Sequence, residues 1–273
     1  MQTPTRRAQT GSGKPVHSGT GVIPILEERR QGELRVIGTG FWITRYGLFA
    51  TAAHVVTNLQ GSALYVLHIP AEFKNTLHLR PVLRITFFQE VDLAICQAEN
   101  YVREYPSNPL SNLRCRLSTR TPDTRENLLT YAYPENAPLI FGNPECPPTI
   151  HGAQFEGNLI EVMDADAVPF LPYIHYSTNI RIRSGASGGP VFDTMGFVLG
   201  INCRGWDFDG AEHEGDELSS VIPVAYLLHM VIEPLQLPRS SFEYSKIPTP
   251  EIRTAYSVRQ LVDYGHLQFD IGK

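Results

Sequence analysis

Between about Gly32 and Ile222 the chain is built of short β-prone runs, each broken by glycine, proline or a polar turn before it grows long. Leu34–Ile37, Gly40–Thr44, Leu48–Thr51, Ala63–Ile69, Val82–Phe88 and Leu93–Gln97 form a first group, with Arg45-Tyr46-Gly47 as a tight turn and Ala52–Asn58 as a short helical turn. Leu128–Tyr133, Thr149–Phe155, Asn158–Val162, Ile174–Ile182, Gly189–Phe192, Phe197–Asn202 and Leu218–Ile222 form a second. Strands this short at this spacing, with no alternating helices, predict a sandwich or barrel rather than βαβ units. The 22 glycines and 21 prolines supply the turns such a fold needs.

A polar stretch from Asn100 to Thr124 divides the two groups and reads as a connection. Residues 1–20 are polar and without periodicity, which predicts a disordered arm. Val224–Ile232 has helical character; residues 237–273 form an extension with a helical pattern at Arg253–Tyr264. At 273 residues, with 42% apolar and 19% charged content, the chain has the composition of an ordinary globular protein able to bury its own core.

The formal net charge of −5 gives no basic field for nucleic acid or an anionic membrane. Arg6, Arg7 and Lys14 are not followed by the apolar run of a secretory signal, and no run approaches a membrane span. Read as a complete product, the chain is expected to be soluble and cytoplasmic. Cys96, Cys115, Cys146 and Cys203 lack zinc-ligand spacing and are read as reduced structural thiols, with no metal site. His213 lies in an acidic loop, Asp207–Glu217, read as solvated.

Three segments carry chemistry: Gly40-Phe41-Trp42-Ile43-Thr44 leading to Thr51-Ala52-Ala53-His54-Val55-Val56, Val91-Asp92-Leu93-Ala94-Ile95, and Ser184-Gly185-Ala186-Ser187-Gly188-Gly189-Pro190-Val191-Phe192. Taken singly, each has a plain structural explanation. Together, in the order His, Asp, Ser and at intervals of 38 and 95 residues, they place base and carboxylate on one half and nucleophile on the other. A serine hydroxyl becomes a useful nucleophile only when an imidazole takes its proton, and a carboxylate must orient that imidazole. Ser187 is therefore the candidate nucleophile, His54 the general base then acid, and Asp92 the orienting group. The Gly185 and Ser187 N–H groups are the candidate oxyanion hole.

These segments resemble the chymotrypsin/trypsin superfamily of serine proteases, in particular its bacterial HtrA-type branch, over roughly residues 30–235. Thr130–Pro134, Gly196–Asn202 and Ser219–Val224 are similar to further elements of that family. The resemblance implies an all-β, chymotrypsin-like double β-barrel, a first barrel at about 21–105 and a second at about 125–236. It also implies an endopeptidase acting on protein or peptide without a cofactor, with no room for a PDZ domain after Gln236. Where secreted trypsins carry an activating Asp beside the nucleophile, this chain has Ala186. It is thus either constitutively competent or ordered by an activating protein partner. Arg35-Val36-Ile37-Gly38 lies too close to His54 to be an activation site. The resemblance puts the specificity pocket between Ile180–Ser184 and Asn202–Gly205, which makes Arg181, Cys203 and Gly205 its candidate residues. Arg181 stands where enzymes that cut after Lys or Arg carry Asp, so such cleavage is not expected. A catalytically idle binding or regulatory module is the alternative reading.

Overall fold

The computed structural model describes residues 8–9, 15–16, 21–30, 32–44, 47–57, 62–68, 78–88, 90–99, 114–140, 149–168, 171–206, 218–232 and 256–271. The Asp207–Glu217 loop with His213, and Cys146, lie outside them. The first half contributes β1 (Val22–Arg30), β2 (Glu33–Trp42), β3 (Leu48–Ala52), helix α1 (Ala53–Val56), β4 (Leu64–His68), β5 (His78–Phe88) and β6 (Leu93–Ala98). In hydrogen-bonded order these strands run β2-β1-β4-β5-β6-β3, and β3 pairs back onto β2, so the six close into a ring.

A short β7 (Arg116–Ser118) follows, then β8 (Asn127–Ala132), β9 (Leu139–Ile140), β10 (Ala153–Met163), β11 (His175–Thr178), β12 (Pro190–Phe192), β13 (Phe197–Trp206) and β14 (Leu218–Pro223). Here the order β12-β8-β10-β11-β14-β13 closes through β12 pairing with β13, giving a second six-strand ring. This is the chymotrypsin-like double β-barrel. Closure pairs the end strands of each ring with one another. The strand β9 docks on the first ring by pairing Leu139 with Leu34.

Burial follows the β period. In β2, Leu34 and Val36 are buried while Arg35 is exposed, and in β8 Leu128, Thr130 and Ala132 face inward. Strands β3 and β6 are buried along their whole length, which explains why they read as unbroken apolar runs. Arg80 plugs the first barrel, stacked 4.6 Å above the Trp42 ring and donating from Nε to the Glu99 carbonyl at 2.6 Å. Burial lowers its pKa to about 10.

Several boundaries differ from the sequence-based expectation. The first strand begins at Val22, well before Gly32, and most of β1 is buried; Pro24 and the charged run Glu27–Arg30 hide its pattern. Leu34–Ile37 and Gly40–Thr44 fuse into the single strand β2, with Gly38 lying close against Val55 and the Ser187 carbonyl. The two expected strands at 149–162 are one strand, β10, carrying a bulge opposite β11. Val224–Ile232 is a 3₁₀ helix over Val224–His229 followed by a two-residue strand, β15 (Val231–Ile232). Within the amino-terminal arm, Ala8–Gln9 pairs with Pro15–Val16.

The carboxy-terminal segment is part of the fold. It contains β16 (Tyr256–Ser257), helix α2 (Val258–Asp263) and β17 (Phe269–Asp270). β16 pairs with β15, and β17 runs parallel to β7, itself parallel to β13. Ser257 and Gln260 form a reciprocal capping box at the start of α2. Tyr256, Val258, Leu261 and Leu267 join the main core. Among the described residues no helix is long and apolar enough to cross a membrane.

Candidate active site

The site lies where α1 and the β5–β6 turn of the first barrel meet the β12–β13 region of the second. Helix α1 starts directly after β3 and has no side-chain cap of its own at Ala52. Asp92, at the end of the turn before β6, supplies the partners instead. Its carbonyl accepts from Ala53 N at 3.1 Å and its Oδ1 accepts from His54 N at 2.8 Å. Its Oδ2 lies 2.6 Å from His54 Nδ1. The carboxylate thus grips both the backbone and the ring of His54. That contact places the imidazole proton on Nδ1 and leaves Nε2 as an acceptor. The His54 side chain is 46% exposed, so the ring is open to an approaching molecule.

Burial pushes the Asp92 carboxyl up, but the hydrogen bond and charge of His54, the Cys203 thiol and the His54 backbone N–H outweigh it. The net result is a carboxyl below its ordinary range, ionised at neutral pH. Cys203 is the contact that sequence reasoning missed. Its Sγ donates to Asp92 Oδ2 at 3.0 Å and sits 3.9 Å from the Tyr173 hydroxyl. Desolvation, then the Asp92 charge, push this thiol's pKa well up, so it remains a neutral donor. The side chain of Cys203 therefore faces the carboxylate, and what it offers a substrate pocket is its backbone.

Ser187 is held from both sides. Its carbonyl accepts from Thr39 N of β2 at 2.9 Å, and its hydroxyl donates to the Cys203 carbonyl of β13 at 3.0 Å. The hydroxyl is thus turned to β13 and not to His54. Two glycines make the surrounding loop. Gly188 has φ +83°, and a Cβ there would be driven into Thr51 Oγ1 and the Thr39 carbonyl. Gly185 has φ +92°, and a Cβ would meet the Tyr133 carbonyl at 2.7 Å. Among the described residues neither the Gly185 nor the Ser187 N–H is engaged in a hydrogen bond. Both are available as donors.

The candidate pocket residue Arg181 and its neighbour Arg183 are both exposed, and Arg183 pairs with Glu135 at 3.0 Å. Among the described residues neither charge is enclosed. Gly205 lies on β13 opposite Ser219 of β14. One ligand atom from each of His54, Asp92 and Cys203 lies within 4.8 Å of the other two, the spacing of a candidate ion site. A tetrahedral site separates its ligand atoms by roughly 3.3 Å. The 2.6 Å imidazole–carboxylate contact would have to open, and the orienting hydrogen bond would be lost.

Residues 38–201, which include His54, Asp92 and Ser187, match the family described as a trypsin-like peptidase domain. Serine protease HTR4 of Rattus norvegicus is 28% identical over 165 residues, 60% of this chain and 29% of that protein. The chain therefore spans less than a third of that curated relative's length. The solved structure of Deg5 superposes with a TM-score of 0.55 at 18% identity, covering 78% of this chain and 87% of the other. A serine endoprotease from Yersinia pestis gives 0.52 at 18% identity, covering 77% and 60%. At that identity the structural likeness speaks for the fold, while the family match rests on the stretch that contains all three site segments. The chain belongs to the trypsin-like peptidase domain family, and the curated protein that it is similar to is a serine protease.

Proposed function

We propose that this chain is a serine endopeptidase that cleaves peptide bonds through an acyl-enzyme on Ser187. The observation that carries the reading is the double grip of Asp92 on His54, at 2.8 Å to the backbone and 2.6 Å to Nδ1. That grip presets the ring for proton transfer at Nε2. The Ser187 hydroxyl leaves the Cys203 carbonyl by rotation about its Cα–Cβ bond and passes its proton to Nε2 as Oγ attacks the substrate carbonyl. The carbonyl oxygen, now negative, is received by the Gly185 and Ser187 N–H groups. Protonated His54, steadied by Asp92, then gives its proton to the leaving amine, and water repeats the sequence on the ester.

The resting contact of Ser187 with the Cys203 carbonyl favours a second reading as well. The hydroxyl waits for a substrate or an activating partner to turn it, or the chain is a catalytically idle binding module. Digestion of β-casein separates them. Wild-type cleavage abolished in Ser187→Ala supports the peptidase. Intact casein across a range of pH and temperature, with wild type and variant indistinguishable, overturns a self-competent peptidase and favours the idle module or an enzyme that needs its activating partner.

The substrate class is protein or peptide, and a dedicated intracellular protein is the proposed natural target. Cys96, Cys115 and Cys203 are unbridged, which suits a reducing compartment, and the cytoplasm is the proposed setting. Recovery of the native protein from an extracytoplasmic fraction would count against that. With Arg181 and Arg183 beside the expected pocket, a peptide library should show no preference for Lys or Arg before the cut. A clear preference for either contradicts this.

A further inference from the structure

We infer that the Thr39 hydroxyl is a positioning group for the oxyanion hole, a role that rests on the serine-peptidase reading. Thr39 is wholly buried on β2, and its polar atoms are all engaged. Its N–H donates to the Ser187 carbonyl at 2.9 Å, and its carbonyl accepts from Thr51 Oγ1 at 2.8 Å. Its Oγ1 donates to the Gly185 carbonyl at 2.8 Å and accepts from Tyr133 N at 3.1 Å. One hydroxyl of the first barrel thus ties together the nucleophile loop and the end of β8 in the second.

The need for such a tie follows from Gly185. A glycine at φ +92° has broad freedom, so the peptides on its two sides can rotate unless something holds them. Ala186 is buried and apolar, so it offers no polar side chain for the purpose. The peptide after Gly185 is held through its carbonyl by Thr39 Oγ1, and its N–H closes a turn onto the Arg183 carbonyl at 2.9 Å. The peptide before Gly185 is held through the Ser184 carbonyl, which accepts from Glu135 N at 3.0 Å. In a trans peptide C=O and N–H point in opposite directions. Pinning the Ser184 carbonyl therefore aims the Gly185 N–H the other way. Glu135 itself sits at φ +49°, two residues beyond Tyr133, whose N–H is anchored on the same Thr39 hydroxyl. Thr39 Oγ1 acts on Gly185 directly and, through Tyr133, on the Glu135 clamp.

The test compares Thr39→Val, Thr39→Ala and Thr39→Ser with wild type in the full chain, using acylation by p-nitrophenyl acetate, a small ester that needs no specificity pocket. Val and Ala remove the hydroxyl and Ser keeps it. The expected result is a fall of roughly 10–100-fold in the acylation rate for Val and Ala, with KM within about twofold. Thr39→Ser is expected to return to within about threefold of wild type. Val and Ala variants acylating at the wild-type rate overturn the inference. So does a Ser variant as slow as either, which would assign the effect to packing. Wild type is measured first: if it is inert and Ser187→Ala matches it, the peptidase reading fails, and the role of Thr39 with it.

Discussion

Asp92 gathers most of the site's electrostatics into one side chain: a ring N–H, a backbone N–H and a thiol all point at it. Replacing it by Asn keeps the shape but favours the wrong His54 tautomer. Asp92→Asn should lower kcat by roughly 10⁴-fold while the fold persists, as peptidase rates and circular dichroism would show. The pH dependence has a definite sign. The folded carboxyl titrates below its ordinary range, so its contribution to stability is present above the unfolded value near 4 and is lost as pH falls through the depressed folded value. Melting curves from pH 7 to 3 should show the wild-type advantage over Asp92→Asn shrinking only at the acid end. A shrinkage near neutrality would contradict that assignment. Cys203→Ser retains a donor to Asp92 and should keep kcat within about threefold, whereas Cys203→Ala should lower it roughly 3–10-fold. Equal rates in both would remove Cys203 from the site. His54, Asp92 and Ser187 stand out as candidates because each sits in a distinctive local segment, and the contact that the structure shows between them is the one joining His54 and Asp92. The roles of Cys203 and Thr39 are not legible in the sequence. Cys203 meets Asp92 across 111 residues, and Thr39 meets Gly185 across 146. Nothing local marks a polar side chain that gains its partner only when two barrels meet.

Strands with plain β alternation or unbroken apolar runs are legible in the sequence, since that is what half-buried and doubly buried strands look like. β3, β6 and β8 are such cases. β1 escaped because its charges are tied down locally, Glu27 pairing with Arg29 and Glu28 accepting from the Tyr65 hydroxyl. The carboxy-terminal strands escaped because two-residue ladders have no period to read; their partners lie in β7 and β15. Elsewhere, one ion network joins elements of the second barrel. Arg120 makes a two-pronged contact with Glu126 at 2.7 and 2.6 Å and reaches Asp193, which is buried, at 3.0 Å. The Arg120 hydrogen bonds hold the Glu126 carboxyl below its ordinary range. The second Asp193 oxygen accepts from Met195 N and Phe197 N, fixing the turn into β13. Arg120→Ala strands a buried carboxylate and should cost about 2 kcal/mol in urea denaturation at neutral pH. A loss below a few tenths would mean that solvent already screens the pair.

At the scale of the molecule, each barrel alone is half a site. The first ring carries an imidazole held by a carboxylate, and the second carries a hydroxyl beside two N–H groups with no partner among the described residues. The interval of 38 residues between His54 and Asp92 fits within one ring, and the longer one to Ser187 crosses into the other. The rings are locked at their junction by Thr39, by Tyr133 donating to the Val22 carbonyl at 3.0 Å, and by Cys203. In the proposed reading this junction activates Ser187. Intact-mass spectrometry after exposure to a fluorophosphonate tests it most directly. One adduct per chain, mapped to Ser187, much slower in His54→Ala and absent in Ser187→Ala, is the predicted result. A wild type left unmodified, or modified at the same rate when His54 is replaced, would mean that the junction does not activate the serine.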